Sequence, residues 1–362
     1  MAIAILGPCN YIVISNYLRH HVGHCCGGQG AHRLKAPTSA VPLSAGRPQL
    51  AAVNQNKYQE RLRKGMAKTG VSSKAAASSL AGAVVVSGAS RGVGRHTAEQ
   101  LEQRGYRVYA GVLSAAEADS WTGDAVQRGR LVPVPLDITR DADIAALVAR
   151  IEADGMPLRA LVSVAGISQF DAIEHVDLKT ARRIFDVNVF GTLALTQALL
   201  PLLKQSRGRY VFVTSMAARV SAPLLGVYSS TKAAMESLID SLRIEVRSWG
   251  IDVAIVEPGG IRTTMVSEAS AHLSKAIARC KDEGEASRRY VAAYQSIADG
   301  IAKGVAKYLP AEDVARSLVE LVQADQVKTR YLVGLDAKAV VMLRRVLSDR
   351  LLDAVMAKQF KL

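Results

Sequence analysis

The first acidic residue of this 362-residue chain does not arrive until Glu60. Residues 1–80 hold ten Lys and Arg against that one acid, so the segment carries +9 of the total formal charge of +14 and the rest of the chain only +5. The high isoelectric point therefore describes the leader. Aromatic residues are scarce too, at 5%. A nucleic-acid interface needs basic residues clustered on a folded face with aromatics for stacking, so that role is discounted. Cysteine is nearly missing beyond the leader: Cys9, Cys25 and Cys26 lie within it, and Cys280 stands alone. A disulfide framework has no partners to work with. His20, His21, His24, Cys25 and Cys26 are metal-ligand types, but adjacent ligands in an unstructured leader rarely build a tetrahedral site, and no metal is expected. No run of about 18 apolar residues appears, which argues against a spanning helix.

The acid-poor leader mixes Arg, Lys, Ser, Ala and Pro, the composition of an organellar transit peptide. Its opening, 1–18, is fairly apolar, yet Asn10, Ser15 and Asn16 interrupt it and no basic residue precedes it, which disfavours a secretory signal. Met66 is an alternative start. Residues 1–79 are expected to be disordered or removed. A plastid or mitochondrial location follows if the transit peptide is genuine, a cytoplasmic one otherwise.

Past the leader, short apolar runs alternate with longer helical patterns. Strands are predicted at 83–86, 107–111, 131–134, 160–164, 209–214, 252–256 and 330–333. Strands alternating with helices imply a parallel sheet. The runs are apolar at successive positions, as in Val84–Val86, which suits strands buried on both faces. The fold expected is α/β, one doubly wound Rossmann-type domain over 80–334 with a seven-stranded parallel sheet, followed by a C-terminal amphipathic helix within 335–362. No internal repeat is evident.

Two patterns carry chemistry. Tyr228 and Lys232 stand four residues apart in a helical segment and so share one face. An ammonium there favours phenolate over phenol, drawing the tyrosine below its usual pKa of about 10 and fitting it for proton transfer. An amphipathic helix with a packed Tyr and a solvated Lys fits the same spacing. Upstream, the strand 83–86 runs into Ser87-Gly88-Ala89-Ser90-Arg91-Gly92-Val93-Gly94 and then a helix. Glycines there permit positive φ and let a diphosphate approach the backbone, while the helix N-terminus offers free N–H groups. The glycine spacing is G-x-x-x-G-x-G.

Together these residues resemble the short-chain dehydrogenase/reductase family, over about 80–328. Further positions fall in the family's order: Leu136-Asp137-Ile138, Ser163-Val164-Ala165-Gly166, Asn188-Val189-Phe190-Gly191, Ser215, and Pro258-Gly259-Gly260-Ile261-Arg262-Thr263. Two departures stand out. The fourth-strand motif reads Ser163-Val164 where the family has asparagines, which is expected to touch local stability more than chemistry. Ser87 replaces a threonine and keeps the hydroxyl.

The resemblance implies reversible hydride transfer between NAD(P) and a carbinol or carbonyl carbon. Tyr228 would be the general acid/base, and Lys232 would lower its pKa and hold the nicotinamide ribose. Ser215 would fix the substrate oxygen, and Asn188 would hold a water relaying protons from Lys232. For the nucleotide it implies Gly88, Ser90, Arg91, Gly92, Val93 and Gly94 around the diphosphate, and Asp137 and Ile138 at the adenine. Ala165 and Gly166 would let it pass close to the chain. Pro258, Gly259, Ile261 and Thr263 would border the nicotinamide, which Tyr228 and Lys232 also touch. An acid at the end of the second strand would bind a ribose 2′-OH, but 110–113 has none, and Arg91 could pair with a 2′-phosphate. NADP(H) is therefore favoured over NAD(H), although the same arginine could face solvent.

The segment 264–310 sits where the family places its substrate lid. Met265, Val266, Leu273, Ile277 and Val291 suit a lipophilic substrate or simply the packing face of an amphipathic helix. In the tail, apolar positions alternate with Lys338, Arg344, Arg345, Arg350 and Lys358, as on a helix that docks on its own domain, on a partner subunit or on a membrane. A softer likeness of residues 330–334 and this tail points to the branch with retinol, hydroxysteroid and 3-hydroxybutyrate dehydrogenases. The family also implies a homodimer or homotetramer. Alternatives are a 3-ketoacyl-thioester reductase and a catalytically silent dinucleotide-binding protein.

Overall fold

Val84 and Val86 face one hydrophobic cluster and Ala83 and Val85 the other, because β1 (Ala83–Ser87) runs inside a sheet covered on both sides. The computed structural model describes residues 81–362 and two three-residue strands, Ala4–Leu6 and Tyr11–Val13. The disorder expected for 1–79 otherwise lies outside the described residues.

The other strands of the sheet are β2 (Arg107–Val112), β3 (Leu131–Pro135), β4 (Leu158–Ser163), β5 (Arg209–Val213), β6 (Asp252–Pro258) and β7 (Arg330–Val333). All six pairings are parallel, in the order β7-β6-β5-β4-β1-β2-β3. This is the doubly wound, seven-stranded Rossmann-type sheet expected from the sequence, with each strand bound within a residue or two. The chain builds β1, β2 and β3 outward, then crosses back to begin β4 on the other side of β1. That reversal opens a crevice at the carboxyl ends of β1 and β4.

Helix α1 (Gly92–Gln103) follows β1 and α2 (Asp141–Asp154) follows β3. After β4 the chain forms α3 (Leu178–Phe185), a π-helical turn Asp186–Gly191 and α4 (Thr192–Ser206). This continuous stretch, Leu178–Ser206, is long and apolar enough to cross a membrane, against the expectation of no spanning helix. Half of its most apolar window is buried in the protein, however, and Leu195, Leu199 and Leu203 pack on the sheet as core residues. Helix α5 (Gly226–Glu245) follows β5, and α8 (Ala311–Gln323) covers the face shared with α1.

The segment 264–310, expected to be the substrate lid, forms α6 (Thr264–Asp282) and α7 (Val291–Gly304), with the short helix Glu285–Arg288 between them. Leu273, Cys280, Tyr294, Ile297 and Ile301 form a separate core with Ala172, Leu224 and Phe360. The expected single tail helix is two, α9 (Leu335–Val346) and α10 (Asp349–Phe360). Leu347 is extended and Ser348-Asp349 supplies start-signal residues for a new helix. Phe360 is buried and Ser296 Oγ donates to the Gln359 carbonyl at 3.0 Å, so the tail docks on the lid.

Candidate functional site

Tyr228 lies in the first turn of α5, and Lys232 one turn later reaches toward the end of β5, where its Nζ donates to the Val213 carbonyl at 3.3 Å. Two residues after that carbonyl, Ser215 leaves the strand with extended backbone and caps the short helical turn Met216–Ala218, its Oγ accepting from Ala217 N at 3.1 Å. With that lone pair used, the hydroxyl hydrogen is free to point toward Tyr228, whose proton affinity Ser215 lowers. The structure thus brings Ser215, Tyr228 and Lys232 together, as the motif implies.

The electrostatics reverse the expectation drawn from spacing. Burial pushes the Tyr228 phenol up to about 12, and Ser215 only partly offsets it. Lys232 is pushed down to about 8 by the same burial, with Glu236 acting against the fall. The lysine does not draw the phenol below its usual value, because its Nζ sits 5.7 Å from the centre of the Tyr228 ring and its own charge is costly in this interior. Near neutrality the pair is therefore phenol and ammonium, the form that can give a proton away.

Asn188 sits fully buried in the π-helical turn. Its Oδ1 accepts from Ile167 N at 2.8 Å, and its Nδ2 donates to the Ile167 carbonyl at 2.9 Å and to Thr231 Oγ1 at 3.0 Å. Thr231 Oγ1 in turn donates to the Tyr228 carbonyl at 2.7 Å. These bonds make Asn188 a clasp that fixes the loop after β4 to the helix bearing Tyr228. The π-turn supplies the extra residue that aims the amide inward.

The glycine turn fits a diphosphate on this chain's own geometry. Helix α1 has no side-chain cap and no acid in its first turn, leaving its N–H groups and positive dipole end uncompensated. Gly92 has φ +57°, and a Cβ there would stand 3.3 Å from Thr263 Cγ2, so the turn and the loop after β6 face each other closely. A Cβ on Gly94 would fall 2.1 Å from the Gly88 carbonyl oxygen, which no side chain tolerates. Ser87 Oγ accepts from Val164 N and Ala165 N at 3.1 and 3.2 Å, tying β1 to the β4 motif through the hydroxyl that replaces threonine. A Cβ on Gly166 would meet Asn188 Oδ1 at 3.2 Å and Lys232 Nζ at 3.4 Å, so the bare backbone there opens onto the catalytic candidates.

Asp137 stands at the far end of the crevice beside the buried Ile138. Burial pushes its carboxyl up, but Thr139, through Oγ1 at 2.7 Å and its N–H at 3.0 Å, and Arg183 bring it below the ordinary value. Pro258 ends β6, and Val93 is buried under the turn.

Two residues escaped the motifs. Glu117, on a short helix Ala115–Asp119 beyond β2, reaches back so that its Oε2 accepts from Leu113 N at 2.8 Å and Ser90 Oγ at 2.6 Å. The second strand therefore does have an acid at its end, correcting the reading of 110–113. Arg91 pairs with Glu268 of the lid at 2.6 Å, both side chains largely exposed. Asp336, at the start of α9, accepts from Gly260 N at 2.6 Å and leaves no room for a Cβ on Gly259. Only the fold brings this tail carboxylate to the loop of Pro258, Gly259, Ile261 and Thr263.

Away from the cleft, His175, Cys280 and Glu283 offer ligand atoms within 4.8 Å of one another. Arg279, 3.7 Å from Glu283 and hydrogen-bonded beside Cys280, already supplies the positive charge there.

The pattern that defines the short chain dehydrogenase family matches residues 82–274. The rabbit (Oryctolagus cuniculus) protein 11-beta-hydroxysteroid dehydrogenase type 2 is 36% identical over 193 residues, 52% of this chain and 47% of that protein. The chain thus spans about half the length of that relative. Retinol dehydrogenase 7 of Mus musculus is 30% identical over 285 residues, 75% of this chain and 87% of its own length. A solved short-chain dehydrogenase from Streptomyces avermitilis superposes with a TM-score of 0.59 at 26% identity, over 77% of this chain and 94% of the other.

Proposed function

This chain belongs to the short chain dehydrogenase family, and from that premise we propose that it is an NAD(P)-dependent oxidoreductase that interconverts a lipophilic secondary alcohol and its ketone at Tyr228, Lys232, Ser215 and Asn188. The observation that supports this reading is the convergence of Ser215 and the buried Lys232 on Tyr228 at the mouth of the crevice lined by the glycine turn: Lys232 Nζ donates to the Val213 carbonyl two residues before Ser215 and stands 5.7 Å from the centre of the Tyr228 ring. A bound nicotinamide supplies or accepts the hydride. The chain supplies the rest. Ser215 and Tyr228 converge on one oxygen position, where the phenol donates a proton as carbonyl becomes alkoxide. Lys232 then steadies the resulting phenolate, and Asn188 holds the helix and the loop after β4 in register.

The walls of the cleft support a lipophilic substrate. Ile167, Ile173 and Met265 are exposed on the loop after β4 and at the start of the lid. Ile173 leans over Gly226 at the head of α5, where a Cβ would touch its Cδ1 at 2.7 Å. The names of the two relatives, a hydroxysteroid and a retinol dehydrogenase, point the same way. Purified chain incubated with NADH or NADPH and a panel of keto-steroids, retinal, short 3-keto acids and acyl thioesters tests the reading by nucleotide oxidation. Turnover of steroid or retinoid is expected. Preference for thioesters would move the assignment to a 3-ketoacyl reductase, and nucleotide binding without turnover on any carbonyl would favour a silent binding protein.

For the nucleotide form, the residues around Ser90 shift the sequence-based preference for NADP(H) toward NAD(H). Glu117 stands where an acid reads a ribose 2′-OH and repels a 2′-phosphate, held ionised first by the Ser90 hydroxyl, with Leu113 N and Arg91 adding to the effect. Arg91, the proposed phosphate partner, is drawn toward Glu268 instead.

A homo-oligomer built on α3 to α5 is supported by exposed Leu178, Phe190, Leu238 and Ile244. On α9, Leu335, Met342 and Val346 are exposed and share one face with basic Arg345 nearby, which suits peripheral contact with an anionic membrane. The leader's composition supports an organelle as the site of action.

A further inference from the structure

Lys232 is almost fully buried, and among the described residues no carboxylate lies within ion-pair distance of it. Its polar contacts are the Val213 carbonyl and, at 3.9 Å, the Met235 sulfur. A buried ammonium without a counter-ion is costly. One helical turn along the same face of α5 is Glu236, only 5% exposed. Its Oε1 accepts from Thr214 Oγ1 at 2.9 Å, and its Oε2 lies 2.7 Å from Arg330 and 3.1 Å from Arg219. The same two arginines reach Glu257, 1% exposed, at 3.2 and 2.9 Å, and the other arm of Arg330 reaches Asp240 at 2.5 Å, which also pairs with Arg243.

This cluster has the placing of more than a clamp on the sheet. Thr214 immediately precedes Ser215, Arg219 follows it by four residues, Glu257 precedes Pro258, and Glu236 follows Lys232 by one turn. Lys232 Nζ donates to the Val213 carbonyl and Glu236 Oε1 accepts from the next residue, Thr214, so the two side chains meet the same end of β5. We propose that Glu236 is a positioning residue for proton transfer, a carboxylate fixed by Thr214, Arg219 and Arg330 so that its charge keeps Lys232 protonated at working pH. The proposal rests on Tyr228 and Lys232 being the acid/base pair. The direction of the electrostatics agrees: burial lowers Lys232 to about 8 and Glu236 opposes it. The carboxyl of Glu236 itself is raised, by burial first and then by Glu257, with Thr214, Arg330 and Arg219 opposing the rise. Besides burial, Glu236 is thus the charged group that acts on Lys232, with Tyr228 one turn before it on the same helix and Arg219, Glu257 and Arg330 from the neighbouring elements acting through Glu236.

The test is the pH dependence of turnover by the full chain, with nucleotide affinity measured in parallel by fluorescence titration. In the wild type the alkaline limb marks loss of the Lys232 proton. In Glu236→Gln that limb moves to lower pH by about one unit, while the nucleotide Kd stays within about threefold. Glu236→Asp, which keeps the charge, leaves the limb close to its wild-type position, so that the shift tracks the charge and not the loss of the glutamate side chain. Glu257→Gln removes an equally buried carboxylate from the same arginines, one that opposes ionisation of Glu236, and does not move the limb to lower pH. A merely structural cluster would respond alike to both. An unmoved limb in Glu236→Gln, or an equal shift in Glu257→Gln, overturns the proposal and leaves the acid/base assignment standing. Full turnover in Tyr228→Phe would remove that assignment first.

Discussion

The nucleotide half of the crevice and the lid achieve order by opposite means. Around Gly88, Gly92 and Gly94 the chain works by having nothing there: backbone touches backbone, and a helix end is left uncapped. In the lid, order comes from side chains. Tyr294, fully buried, donates to Asp171 Oδ1 at 2.6 Å and accepts from Ala172 N at 2.9 Å, while Arg279 closes on the same carboxylate at 2.7 Å. Missing atoms fix one region and added atoms the other. The first is intolerant of any addition, whereas the second can be loosened in steps.

Substitutions can break that contrast. The largest effect is expected at Gly94→Ala, where a methyl 2.1 Å from the Gly88 carbonyl cannot be placed without moving the turn. A loss of about 3 kcal/mol or more and no measurable nucleotide affinity are predicted, read by thermal unfolding and nucleotide titration. Tyr294→Phe comes next. It leaves Asp171 and Ala172 N short of a buried partner, for a cost of about 1–3 kcal/mol confined to the lid. Faster proteolysis within α6 and α7 and a higher KM are expected with nucleotide affinity unchanged. A matching loss of nucleotide binding would show that the two regions are not independent. The smallest effect sharpens the nucleotide side: Glu117→Gln should weaken discrimination against NADPH by about tenfold, measured as the ratio of the two Kd values. An unchanged ratio would return the preference to Arg91.

The same contrast explains what could be read from the sequence. Glycines at Gly88, Gly92 and Gly94, and the Tyr228 and Lys232 pair, are local patterns whose spacing survives without coordinates, and all seven strands announced themselves as apolar runs between turns. Among the apolar positions of 264–310, Leu273, Ile277 and Val291 were visible, and they belong to or pack on the separate core. Their partners were not visible, since Ala172, Leu224 and Phe360 come from distant parts of the chain. Glu117 was missed because a short helix folds it back onto the end of β2, and Asp336 because the tail returns to the loop after β6. The pKa order at Tyr228 was misjudged for a related reason. Spacing gives neighbours, but burial decided the balance, and burial belongs to the whole fold.

Tyr228→Phe measures the central claim most directly, with turnover of the best ketone and the nucleotide Kd determined on the same preparation. Removal of the one proton donor should lower turnover by about a hundredfold or more while the Kd stays within about twofold. Turnover close to that of the wild type would contradict the account.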